Sequence, residues 1–151
     1  VLEAMLPEFS STPNNPSSVH FFGQEAKNRL QNSRETISSY LKVKPHEVIF
    51  TSGGTESMNL LIRGFFQKDL SGHVITSNVE HACVHKTLKS LQEKGLEVSF
   101  LPAGLLGAVS VEQVREAIKP STRFIILTAV SNETGIKHDL ETIGQIAQEA
   151  N

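Results

Sequence analysis

Apolar residues recur along the chain in two rhythms. After a polar, turn-forming stretch at residues 10–18 (Ser-Ser-Thr-Pro-Asn-Asn-Pro-Ser-Ser), Val19, Phe22, Ala26, Leu30, Ile37 and Leu41 follow at spacings of three, four or seven. That spacing predicts one face of a helix, with Ser18 as its N-cap. Pro45 breaks the pattern, and Val48-Ile49-Phe50-Thr51 reads as a short buried strand. The glycine pair Gly53-Gly54 leads into a predicted helix from about Glu56 to Phe66. His73 to Thr76 reads as a strand, His81 to Lys94 as an amphipathic helix closed by Gly95, and Glu97 to Leu101 as an alternating strand. Val111 to Ile118 reads as a short helix. Phe124 to Val130 is the most apolar run and the candidate for a central strand. Ile143 to Asn151 reads as a helix just finishing.

Short apolar strands alternating with amphipathic helices indicate an α/β layered architecture with a mostly parallel sheet. In such sheets ligands sit beyond the carboxyl ends of the strands. Attention therefore falls on the segments after Phe50, Thr76 and Val130.

Composition narrows the picture by exclusion. The 151 residues fit one domain or a piece of one, and a net charge of −2 gives no basic surface for nucleic acid. Cys83 is the single cysteine, which rules out an internal disulfide and a thiolate-rich zinc site. No metal site is read from the six scattered histidines. No apolar run approaches the roughly 20 residues of a membrane span, and residues 1–7 lack the features of a secretory signal. Val1 is not a natural initiator and the last helix has no tail, so both ends read as cut. The expectation is a soluble, cytoplasmic, reducing-compartment fragment.

Three strand ends carry candidate chemistry. In Thr51-Ser52-Gly53-Gly54-Thr55-Glu56-Ser57 the glycines would let the backbone approach a ligand, and the helix start that follows offers free N–H groups suited to phosphate. The same glycines could equally serve only to make the turn. A Walker loop would need a following Lys, and the GxGxxG spacing is absent. In Asn78-Val79-Glu80-His81-Ala82-Cys83, His81 could stack on an aromatic ligand or exchange protons, or could simply cap or pack. Cys83 reads better as a small apolar residue than as a nucleophile, with no basic cluster beside it. In Ser131-Asn132-Glu133-Thr134-Gly135, Asn132 could orient a ligand or shape the turn. All three constellations belong to one rim of the predicted sheet.

Asn15-Pro16-Ser17-Ser18-Val19-His20, Phe50-Thr51-Ser52-Gly53-Gly54-Thr55-Glu56-Ser57, Val79-Glu80-His81 and Asn132-Glu133-Thr134-Gly135 occur in the order found in NifS/IscS-like cysteine desulfurases. The chain resembles the N-terminal part of these class V aminotransferase, fold-type I pyridoxal-phosphate enzymes over nearly its whole length. The resemblance implies a three-layer αβα fold, with residues 19–151 forming part of the large cofactor domain and residues 1–18 lying near the substrate entrance. It implies that Gly54 and Thr55 hold the phosphate of pyridoxal 5′-phosphate. His81 would stack on the pyridine ring and assist proton transfer, and Asn132 would hydrogen-bond the phenolic oxygen.

The implied reaction converts L-cysteine to L-alanine and passes sulfur to an enzyme cysteine, for an acceptor protein such as an iron–sulfur scaffold. Family members are usually homodimers. The family's Schiff-base lysine, ring-nitrogen aspartate, glutamine and sulfur-accepting cysteine all lie downstream of residue 151. None of Lys86, Lys89, Lys94 or Lys137 has the family's Ser-x-His-Lys context, and Cys83 does not match the mobile cysteine. Asn14 stands where the family often has Gly, at a turn expected to need positive φ, and Ser131 stands where it often has Asn. Selenocysteine lyase and a non-catalytic truncated domain are the alternative readings. The segment by itself is expected to show neither desulfurase activity nor the cofactor's visible band.

Overall fold

A computed structural model describes residues 1–10, 14–105 and 107–150, in two compact units, Val1–Phe50 and Thr51–Asn151. Ser11, Thr12 and Pro13 of the turn cluster lie outside the described residues, as does Asn151 of the final helix.

The first unit is helical. α1 spans Leu2–Ser10, with Pro7 inside it, an element the sequence reading did not contain. A proline there forfeits one backbone hydrogen bond of the helix. Glu8 near its end pairs with Arg29 at 3.0 Å. α2 spans Phe21–Leu41 and is capped by His20, whose Nδ1 accepts from Gly23 N–H at 3.2 Å. This corrects the expected Ser18 cap. Ser18 is engaged in its own turn, donating its N–H to the Asn15 carbonyl, while Asn15 Oδ1 accepts from Ser17 N–H. The turn packs so closely on the helix start that a Cβ on Gly23 would lie 2.4 Å from the Ser18 carbonyl oxygen. Asn14 does not carry the expected positive φ; among the described residues Lys42 is the non-glycine residue that does, as the left-handed cap of α2.

Val48-Ile49-Phe50-Thr51 is not a strand. A strand needs a ladder partner for its backbone groups, and this segment has none among the described residues. Arg34 instead donates to the Val48 carbonyl at 3.1 Å and places its guanidinium 5.1 Å from the Phe50 ring centre.

The second unit alternates helix and strand: α3 (Gly54–Phe65), β1 (His73–Ser77), α4 (Ala82–Gln92), β2 (Glu97–Leu101), α5 (Val111–Ala117), β3 (Thr122–Ile126) and α6 (Leu140–Glu149). The three strands are parallel in the order β2-β1-β3. Helices cover both faces. Val74 and Ile126 pack with Ile62 of α3, its cap Phe66, and Val84 and Leu88 of α4, and Ile125 packs with Val114 and Ile143 of α5 and α6. The predicted three-layer α/β arrangement is thus present.

The centre of the sheet differs from expectation. β1, not the apolar run at Phe124–Val130, is the middle strand, and all five of its residues are buried. Its polar side chains are satisfied internally. His73 bonds Thr122 and Ser99 at 2.8 Å each, and Thr76 Oγ1 donates to the Ile126 carbonyl at 2.9 Å. Beyond Ile126 the predicted strand gives way to a loop closed by an antiparallel bridge between Val130 and Lys137.

Candidate functional site

Parallel strands deliver their carboxyl ends to one rim, so the segments after β1 and β3 meet there. They enclose a cavity of about 290 Å³ lined by Val79, Glu80, His81, Ala82, Gly107, Thr128, Ser131–Thr134 and His138. His81 and Ala82 also line a second hollow of about 370 Å³, together with Thr55, Cys83 and Lys86. His81 therefore stands on a wall shared by two hollows, one reaching Asn132 and the other reaching Thr55. Thr55, His81 and Asn132 thus line two adjoining hollows, although the Thr51–Ser57 turn follows no strand, so two of the three expected strand ends are present among the described residues. Asn15 to Ser18 belong to the other unit.

The glycine turn has the conformation its sequence requires. Gly53 has φ 156° and ψ 179°, a region essentially restricted to glycine. No side chain caps α3, so the N–H groups of its first turn are left for solvent or an anion. A Cβ built on Gly54 meets nothing within 4 Å, so the surface beside it is open. The turn is braced from behind. Thr51 Oγ1 and Ser57 Oγ lie 2.7 Å apart, and Glu56 accepts from both the hydroxyl and the N–H of Ser52. The Ser52 hydroxyl, then its N–H, holds the Glu56 carboxyl below the usual carboxylate range.

His81 is the N-cap of α4. Its Nδ1 accepts from Cys83 N–H at 3.2 Å and lies 3.0 Å from Cys83 Sγ. A backbone N–H can only donate, so in the neutral ring the proton resides on Nε2. Capping and lining the cavity are thus simultaneous roles of one imidazole. Cys83 is half-buried and packs against the α3–α4 core, in keeping with a small apolar residue.

Asn132 is presented by a tight loop. Ser131 N–H donates to the Ile136 carbonyl, Gly135 N–H donates to the Ser131 carbonyl, and Ser131 Oγ accepts from the N–H groups of Glu133 and Thr134. Gly135 has φ 72°, which suits glycine. The Asn132 side chain, which lines the cavity, spends none of its hydrogen-bonding capacity on this scaffold.

Three lining residues escaped the sequence reading in this role: Glu80, Thr128 and His138. Glu80 is buried and accepts from Ser77 Oγ at 2.8 Å and from Thr128 N–H at 3.0 Å. His138 is buried between Thr128 and Val109. The available signal was a carboxylate placed directly before His81 at a strand end.

The aminotransferase class-V family model matches residues 1–151. The mitochondrial cysteine desulfurase of Arabidopsis thaliana is 41% identical over 140 residues, covering 91% of this chain and 31% of the relative. The cysteine desulfurase IscS of Rickettsia prowazekii (strain Madrid E) is 38% identical over 154 residues, covering 100% of this chain and 38% of the relative. A solved structure of SspA in complex with cysteine superposes with a TM-score of 0.92 at 41% identity, covering 98% of this chain and 43% of that one. The chain thus spans about a third of the length of the curated relatives it matches. From its sequence throughout and its fold, the chain belongs to the aminotransferase class-V family.

Proposed function

We propose that this chain is the cofactor-holding part of a pyridoxal 5′-phosphate-dependent cysteine desulfurase. The observation that carries the reading is His81 on the wall common to the Thr55 hollow and the Asn132 cavity, in a chain whose relatives bear that name. The residues fit the cofactor. An uncapped helix start beside the open face of Gly54 suits a phosphate, a flat imidazole suits an aromatic ring, and an amide with unspent donors and acceptors suits a phenolic oxygen.

In this reading the backbone N–H groups of Gly54 and Thr55, with the Thr55 hydroxyl, bind the phosphate. Asn132 orients the ring through its oxygen, and His81 packs on the ring face. With Nδ1 occupied as a helix cap, His81 exchanges protons through Nε2. The bound cofactor supplies an electron sink that weakens bonds at the substrate's α-carbon. The substrate is L-cysteine, whose sulfur passes to a cysteine thiolate of the whole protein and on to an acceptor such as an iron–sulfur scaffold. A homodimer in a cytoplasmic setting completes the proposal. Stoichiometric release of alanine from L-cysteine by the whole protein, dependent on added pyridoxal 5′-phosphate, tests it. Absence of alanine from cofactor-loaded protein counts against it.

A further inference from the structure

We infer that Glu80 is a positioning residue, tying together the two strand ends that carry His81 and Asn132. The inference rests on the cofactor reading above and extends it to the hydrogen bonds that hold the two strand ends together. The β1–β3 ladder ends at the Thr76–Ile126 pair. Past that point the Glu80 side chain takes over the connection. Its Oε1 accepts from Ser77 Oγ at 2.8 Å, on the β1 side, and from Thr128 N–H at 3.0 Å, on the β3 side. Its Oε2 accepts from Thr128 Oγ1. Glu80 is only 8% exposed, so water does not compete effectively for these donors.

Thr128 is held from the opposite side as well. Its carbonyl accepts from His138 Nδ1 at 2.7 Å, while His138 Nε2 accepts from Val109 N–H at 3.1 Å. A carbonyl only accepts and a backbone N–H only donates, so this arrangement selects the neutral ring protonated on Nδ1. His138 N–H also donates to the Ala129 carbonyl at 3.1 Å, closing the hairpin that presents Asn132. Glu80 adjoins His81 in sequence, and Thr128 lies at the base of the Asn132 hairpin. A shift at this carboxyl group therefore changes the separation of the two residues proposed to face the cofactor ring.

The test compares Glu80→Ala, Glu80→Gln, Thr128→Val and Thr128→Ser in the whole protein. It reads the dissociation constant of pyridoxal 5′-phosphate, the induced circular dichroism of its visible band, and amide hydrogen exchange across residues 128–138 without cofactor. Glu80→Ala strands three donors, and the expected result is binding weakened at least about tenfold, altered dichroism and faster exchange in the hairpin. Glu80→Gln keeps an acceptor for Thr128 N–H and restores binding to within about threefold. Thr128→Val alters the dichroism and Thr128→Ser restores it, a comparison that decides the matter even where Glu80→Ala does not fold. A lowered melting temperature with unchanged affinity, dichroism and exchange overturns the inference and leaves Glu80 a stabilising residue only. A wild-type protein that takes up no cofactor sinks the cofactor reading instead, and hairpin exchange then decides the clamp on its own.

Discussion

His81 Nδ1 accepts the Cys83 N–H at 3.2 Å, so a residue proposed to face the cofactor is also the cap of α4. The two roles separate by substitution. His81→Asn retains a good N-cap, and its melting temperature should stay close to wild type, whereas His81→Ala should cost about 1 kcal/mol of stability. Both should lose the imidazole's contribution, lowering turnover by about 100-fold or more. Calorimetry alongside steady-state kinetics checks the split.

Cys83→Ala preserves the backbone donor and removes only Sγ, 3.0 Å from the ring. Activity should survive. A Cys83→Ala protein that releases no alanine would make this thiol part of the chemistry, against the present account.

The two glycines should respond differently. Gly53→Ala forces a side chain into φ 156° and should destabilise the fold by about 1–3 kcal/mol. Gly54→Ala adds a methyl group to open space and should leave the melting temperature nearly unchanged while weakening phosphate binding. Melting curves and cofactor titrations of the two variants measure this.

His73 supplies a pH dependence. Burial, aided by the nearby Lys119 charge and opposed by Glu97, pushes its pKa below the ordinary 6.5. Between its folded and unfolded pKa values the unfolded chain binds more protons, so stability falls as pH drops. The contribution is complete above about pH 6.5 and is lost as pH falls through the lowered folded value. Replacing His73 with Gln should flatten the melting-temperature profile on the acid side of 6.5. An unchanged slope counts against the assignment.

Local patterns revealed much of this architecture. Helical spacing located α2 to α5, and Gly53 of the Thr51–Ser57 turn and Gly135 stand at bends that adopt positive φ. What escaped was set by contacts distant in sequence. β1 hid its central place because His73, Thr76 and Ser77 look polar, yet each finds a partner inside. Val48–Thr51 looked like a strand because apolar β-branched runs signal burial, but they cannot signal whether a ladder partner exists. Glu80 and Thr128 are 48 residues apart, and Val109 and His138 are 29 apart, so no local pattern could pair them.

The central claim is that Gly54, Thr55, His81 and Asn132 form one cofactor cradle. Titrating pyridoxal 5′-phosphate into the whole protein, its Thr55→Ala variant and its Asn132→Ala variant tests that claim most directly. The expected result is a visible band in the wild type, weaker binding in Thr55→Ala with the band position kept, and a displaced band in Asn132→Ala. A colourless wild type, or three indistinguishable titrations, would contradict it.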